Sequence, residues 1–184
     1  MGRYRHIHIL GAPGSGVTTL GKALAERLGF FHFDTDDYVW FTDDDLPFRR
    51  KRNVEHRRKL MGRDLADSDA WVLSGAVCGW GDVFASRFDL VVHLGLPMTV
   101  RLARIQEREV RRYGRERLSE GGDLHLVYEK FLTWAKRYDF ENDNLRNRAS
   151  ELRWLEQLAC PVLKFEEDAP VENWVETILQ FMDL

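Results

Sequence analysis

Two hydrophobic periods trade places along the chain. His6 to Leu10 is an apolar run of strand length, and beyond a short loop Leu20, Ala23, Leu24 and Leu28 fall on one face of a helix that Gly29 stops. Phe30 to Asp34 reads as a second strand, closing on the acidic cluster Asp34-Thr35-Asp36-Asp37, and Trp71 to Ser74 as a third. Tyr38 to Ser68, between them, is basic and helical in its second half. Asp89 to Leu94 is apolar apart from one histidine, the pattern of a strand covered on both faces, and Pro97 suits the start of a helix carrying Val100, Leu102 and Ile105. After the polar segment Arg115 to Gly122, Asp123 is placed to cap a helix running to about Arg137, and another covers about Asn147 to Leu158. Pro161 to Phe165 supplies a fifth strand and Val171 to Leu184 a last helix. Strands separated by helical crossovers predict an α/β fold: a five-stranded parallel sheet between two helical layers, with ligands at the carboxyl ends of the strands. No repeat or linker divides residues 1–184, which read as one domain.

The segment joining the first strand to the first helix carries the chemistry. Gly11-Ala12-Pro13-Gly14-Ser15-Gly16-Val17-Thr18-Thr19 has the spacing of a phosphate-binding Walker A loop, with Val17 where the pattern has lysine. In such a loop the glycines turn the backbone so that its amides converge on phosphate oxygens, the helix start adds partial positive charge, and a hydroxyl holds Mg²⁺. All these parts are present. Missing is the ammonium that reaches the β/γ-phosphates, a loss of roughly 3–4 kcal/mol per electrostatic donor removed from a transition state. Lys22 lies more than a helical turn further on and points away, so arginines from a mobile segment are the better substitutes, with Arg108 or Arg112 expected to supply the charge that Val17 cannot.

Composition narrows the partners. A net charge of −3 argues against a general nucleic-acid binder and leaves an RNA-acting protein as the weakest of three readings. Basic charge is nonetheless concentrated in Arg49 to Arg63 and Arg101 to Arg117, as arginines whose planar forks suit phosphate. Arg101, Arg104, Arg108, Arg111 and Arg112 recur at helical steps, giving a basic face that either clamps phosphate or pairs with Glu107 and Glu109; the clamp is the favoured expectation. Cys78 and Cys160 lack metal-ligand spacing and read as reduced thiols of a cytoplasmic protein, and no apolar run approaches the roughly 18 residues of a membrane span.

These motifs together resemble the P-loop kinases of nucleotides and small metabolites, the group of adenylate, cytidylate, shikimate and gluconate kinases, over nearly the whole chain. Gly11 to Gly16 is similar to the adenylate kinase loop, and Phe33-Asp34-Thr35-Asp36 to the aspartate pair closing the second strand of shikimate kinases. Leu94-Gly95-Leu96-Pro97 with the arginines after it is similar to the strand and lid-entry helix of both groups. The resemblance implies ATP and Mg²⁺ as cofactors, with Gly11 to Thr19, Arg104 and Arg108 on the nucleotide and Thr18 and Asp34 on the metal. It implies Asp34, Asp36, Arg108 and Arg112 as catalytic, and Asp36, Arg49, Arg52 and Gly75 on an unidentified small-molecule acceptor. Residues 38–68 would be the acceptor-binding segment and 108–123 the lid. The acidic cluster has a plainer reading, as a cap on a helix start, and Arg49, Arg52, Arg57 and Arg58 have one as a solvated helix face. Trp40, Phe41, Trp80 and Trp134 are candidates for stacking on a ring, against ordinary core packing. Glu166 to Pro170 would lie beside the purine. The third strand ends Ser74-Gly75-Ala76, unlike either kinase group, so the acceptor stays open. The leading expectation is a phosphotransferase moving the γ-phosphoryl of ATP to a nucleotide or small hydroxyl metabolite. The alternative is a nucleotide-binding regulatory module with weak or no catalysis, motivated by Val17.

Overall fold

The apolar runs become strands of one sheet, and the three central ones are covered by helices on both sides. In the computed structural model, which describes residues 3–41, 48, 50–140 and 146–183, these strands are β1 (His6–Gly11), β2 (Phe31–Asp34), β3 (Trp71–Ser74), β4 (Leu90–Leu94) and β5 (Val162–Phe165). They form one parallel sheet in the order β2-β3-β1-β4-β5. The helices are α1 (Val17–Leu28), α2 (Thr35–Val39), α3 (Val54–Ala66), α4 (Met98–Tyr113), α5 (Arg115–Leu118), α6 (His125–Arg137), α7 (Arg148–Leu155) and α8 (Val171–Phe181).

Strand alternation sorts the core into two layers. Ile7, Ile9, Val92 and Leu94 meet Leu20 and Leu24 of α1 and Trp174, Val175 and Ile178 of α8 on one face. Leu10, Leu73 and Val91 meet Met61 and Leu65 of α3, Trp154 and Leu155 of α7, and Phe84 and Phe88 on the other. The same alternation places His8 and His93 on this second face, both buried. A smaller cluster, Ile105 with Leu132 and Ala135, joins α4 to α6.

One local expectation is met and two are corrected. The acidic cluster does cap a helix start, Asp34 being the N-cap of the short helix α2 that the rest of the cluster forms. Asp123 caps nothing: α6 starts after Leu124, and the Asp123 carboxylate is instead gripped by both Nε and Nη2 of Arg117, at 2.9 and 2.6 Å. The last helix ends at Phe181 rather than Leu184.

Candidate functional site

The middle strand, β1, has β3 on one side and β4 on the other, so the chain leaves it in one direction and returns in the other, opening a crevice at its carboxyl end. The loop from Gly11 to Gly16 fills that point. Ser15 closes it, its amide and its hydroxyl both donating to Ala12 O at 3.1 and 2.8 Å. Gly14 has φ 82°, and a Cβ there would stand 2.5 Å from the carbonyl oxygen of Arg101, so both conformation and space demand glycine. Gly16 is the N-cap of α1 and offers no side-chain cap. Among the described residues, the amides of Gly14, Gly16, Val17, Thr18 and Thr19 have no acceptor. Unbonded N–H groups at the start of a twelve-residue helix are an anion cradle.

On the rim of the cradle Thr18 Oγ1 donates to Asp34 Oδ2 at 2.8 Å, while Asp34 Oδ1 accepts from the Asp36 amide at 3.0 Å. A hydroxyl and a carboxylate side by side are the hard oxygen donors that Mg²⁺ takes, usually one or two from protein with the rest from phosphate and water. No cage of three His, Cys, Asp or Glu forms among the described residues, so a cation here would be shared with a phosphate. Val17 points elsewhere: its side chain packs on the core beneath α1 and α8, and its carbonyl accepts from Ser74 Oγ at 3.3 Å.

Beyond Asp34 the wall turns acidic. Desolvation and then the charge of Asp34 push the Asp36 carboxyl up, opposed by a hydrogen bond with Trp40 and by the charge of Arg146. Gly75, at the end of β3, closes this side. Its φ is 98°, and a Cβ would come within 2.0 Å of Thr35 Oγ1, so backbone lies directly against the start of α2. Of the acceptor-side arginines, Arg49 lies outside the described residues. Arg52 spends Nη1 on the carbonyls of Asp37, Tyr38 and Trp40 and thus holds the segment together. Arg57 and Arg58 donate from Nε to Arg52 O and Trp80 O. The aromatics are packed: Trp40 meets Lys51 and Phe48, Phe41 lies under Arg50 and Arg52, Trp80 bonds Ala76 O and meets Arg57, and Trp134 stacks on Phe131.

The arginine face on α4 departs from the clamp expectation. Arg108 pairs with Glu109 at 2.7 Å and Arg111 with Glu107 at 2.6 Å, while Arg112 lies over Tyr113. The other two turn to the loop. Arg101, wholly buried, donates to Leu96 O and Pro13 O and is paired with Asp139. Arg104 donates to Ser15 O at 3.1 Å and pairs with Asp168 at 2.5 Å. A third arginine, not singled out from the sequence, completes the set: Arg146, just before α7, donates from Nη2 to Gly11 O at 2.5 Å. The carbonyls of residues 11, 13 and 15 thus each hold an arginine.

Arg146 belongs to a buried network. Its Nε donates to Glu151 Oε2 at 2.8 Å, and His93 Nε2 stands 3.4 Å from Glu151 Oε1. Burial alone would raise the Glu151 carboxyl, but the charge and hydrogen bond of Arg146, with His93 nearby, hold it down at about 2. One signal for this network was in the sequence, the lone histidine in an otherwise apolar strand.

Comparison with known proteins bears on the family. The AAA domain model matches residues 7–125. An uncharacterized protein of Bacillus subtilis (strain 168), YqaC, is 46% identical over 178 residues, 97% of each chain. The cytidylate kinase of Natronomonas pharaonis is 32% identical over 113 residues, 56% of this chain and 58% of that one. Among solved structures, the shikimate kinase of Bacteroides thetaiotaomicron superposes with a TM-score of 0.57 at 20% identity, covering 98% of this chain and 99% of that one. Matched over more than half its length and folded around a phosphate loop at the switch point of its sheet, the chain belongs to the AAA domain family and shares the fold of the P-loop kinases.

Proposed function

We propose that the protein is a phosphotransferase that binds ATP with Mg²⁺ and moves the γ-phosphoryl group to a nucleotide or a small hydroxyl metabolite. The observation that carries this reading is the set of unbonded amides at Gly14, Gly16, Val17, Thr18 and Thr19 beside the Thr18–Asp34 pair. Gly11 to Thr19 cradle the phosphates, Arg104 serves the nucleotide side, and Thr18 and Asp34 hold the cation. Asp36 and Gly75 face the acceptor. In the transfer, the acceptor oxygen bonds to the γ-phosphorus as the bond to the bridging oxygen breaks. ADP leaves with that electron pair, and the acceptor proton passes to the Asp36 carboxylate, whose raised pKa suits it to receive one. Positioning and electrostatics supply the rate. Arg108 and Arg112 reach the nucleotide only by giving up their present partners.

Calorimetry with ATP, ADP and GTP, with and without Mg²⁺, is the first test. Micromolar, Mg²⁺-sensitive binding is expected, followed by turnover in a screen of nucleotide and sugar-like acceptors. Absence of binding would remove the reading. A second reading, a nucleotide-binding module with little catalysis, is favoured by one observation: the Val17 side chain packs against the core. Tight ATP or ADP binding with no turnover across the acceptor screen would select it.

A further inference from the structure

Val17 leaves the loop without a cation of its own, and the fold brings one to the same edge from 135 residues away. Arg146 touches the first carbonyl of the loop through Nη2 and Glu151 through Nε. Among the described residues its Nη1 makes no hydrogen bond, although the guanidinium also lies 5.7 Å from the centre of the Tyr138 ring, and its side chain is 27% exposed. Its charge is felt at Asp36, on the acceptor side. The guanidinium therefore acts on both sides of the place where a phosphoryl group would move.

The other arginines are less able to serve. Arg101 is wholly buried and held by three acceptors. Arg104 is at the far end of the loop, tied to Ser15 O and Asp168. Arg108 and Arg111 are paired along their own helix. Arg146 also has a partner that tolerates its departure. Among the described residues Glu151 Oε1 and His93 Nε2 make no hydrogen bond, although both are buried and 3.4 Å apart. That slack pair can close when Arg146 turns away, so the buried carboxylate keeps a partner.

We infer that Arg146 takes the place of the missing lysine, binding the β/γ-phosphates of ATP in the loop, with Glu151 and His93 as the dock from which it reaches. The inference rests on the ATP-binding reading above. Its test is calorimetric, with ATP and Mg²⁺ as the probe, on the full chain, on R146M/E151Q, and on V17K/R146M/E151Q. Pairing R146M with E151Q avoids stranding a buried carboxylate, and circular dichroism checks that both variants fold. Loss of one charge-assisted phosphate contact predicts about 10- to 100-fold weaker ATP binding by R146M/E151Q. Adding V17K is expected to restore most of it, because a lysine at the loop then supplies the same charge. Unchanged affinity in R146M/E151Q overturns the inference, and so does a loss that V17K does not repair, since that marks a merely structural role. If the unaltered protein binds no ATP, the nucleotide reading itself fails, a result distinct from either.

Discussion

Asp34 does two jobs at residue scale, and they use different oxygens. Oδ1 caps α2 through the Asp36 amide, and Oδ2 receives the Thr18 hydroxyl. An amide in place of the carboxylate keeps an oxygen for the cap while removing the charge that a divalent cation requires. D34N is therefore expected to fold normally and bind ATP with an affinity that no longer responds to Mg²⁺. Calorimetry with and without the metal checks this, and a variant as Mg²⁺-sensitive as the parent would exclude Asp34 from the metal site. The loop glycines, Thr18 and the aspartate pair were all visible in the sequence, because neighbouring residues supply that part of the site. Arg146 and Glu151 were not, and His93 showed only as a lone histidine in a strand: their union depends on α7 folding back over β4, which no local spacing records.

At the scale of elements, the strands were readable and the polar ends of helices were not. Parallel strands announce themselves as apolar runs, and all five stand within one residue of the predicted ends. α2 escaped because five residues are too few for a hydrophobic period. Asp123 has the chemistry of a cap but found Arg117 first. Arg101 is the clearest case of an element-scale device. It sits on α4, bonds the phosphate loop at Pro13 O, and pairs with Asp139 just past α6, joining three segments at one buried charge. Removing one partner of a buried pair costs about 3–5 kcal/mol. R101M should lose stability on that scale in urea unfolding, while R101M/D139N should recover part of it. Equal losses in the two would mean that the backbone bonds, and not the ion pair, are what matter.

For the whole molecule, one buried histidine, His8, sets a direction for acid stability. A carbonyl can only accept, so His8 keeps its proton on Nδ1 for Leu73 O at 3.1 Å, and among the described residues Nε2 is without a partner. Burial lowers its pKa from 6.5 to about 4. Between those values the unfolded chain binds the extra proton, so stability falls as pH drops through that window and this group adds no further loss below it. The shift corresponds to about 3 kcal/mol. Glu151, held down from 4.5 to about 2, adds its own loss as pH falls through that lower range. Asp36 and Asp37 are shifted the opposite way and gain on acidification. H8N retains a donor for Leu73 O but cannot titrate, so its difference from the parent isolates the first window. Urea unfolding from pH 7 to 4 should show the parent losing stability more steeply than H8N, and parallel curves would rule His8 out as the cause.

The loop that carries the proposed chemistry has its carbonyls at residues 11, 13 and 15 tied to arginines, whereas its amides from Gly14 to Thr19, apart from Ser15, are open. In helices and sheets the two kinds of group are satisfied together, and a slow-exchanging amide marks a segment that rarely opens. Here that link is broken. These amide hydrogens should exchange with deuterium almost as fast as in a free peptide although the backbone carrying them is braced. An anion settling on them would slow exchange at those positions while leaving the rest of the pattern as it was.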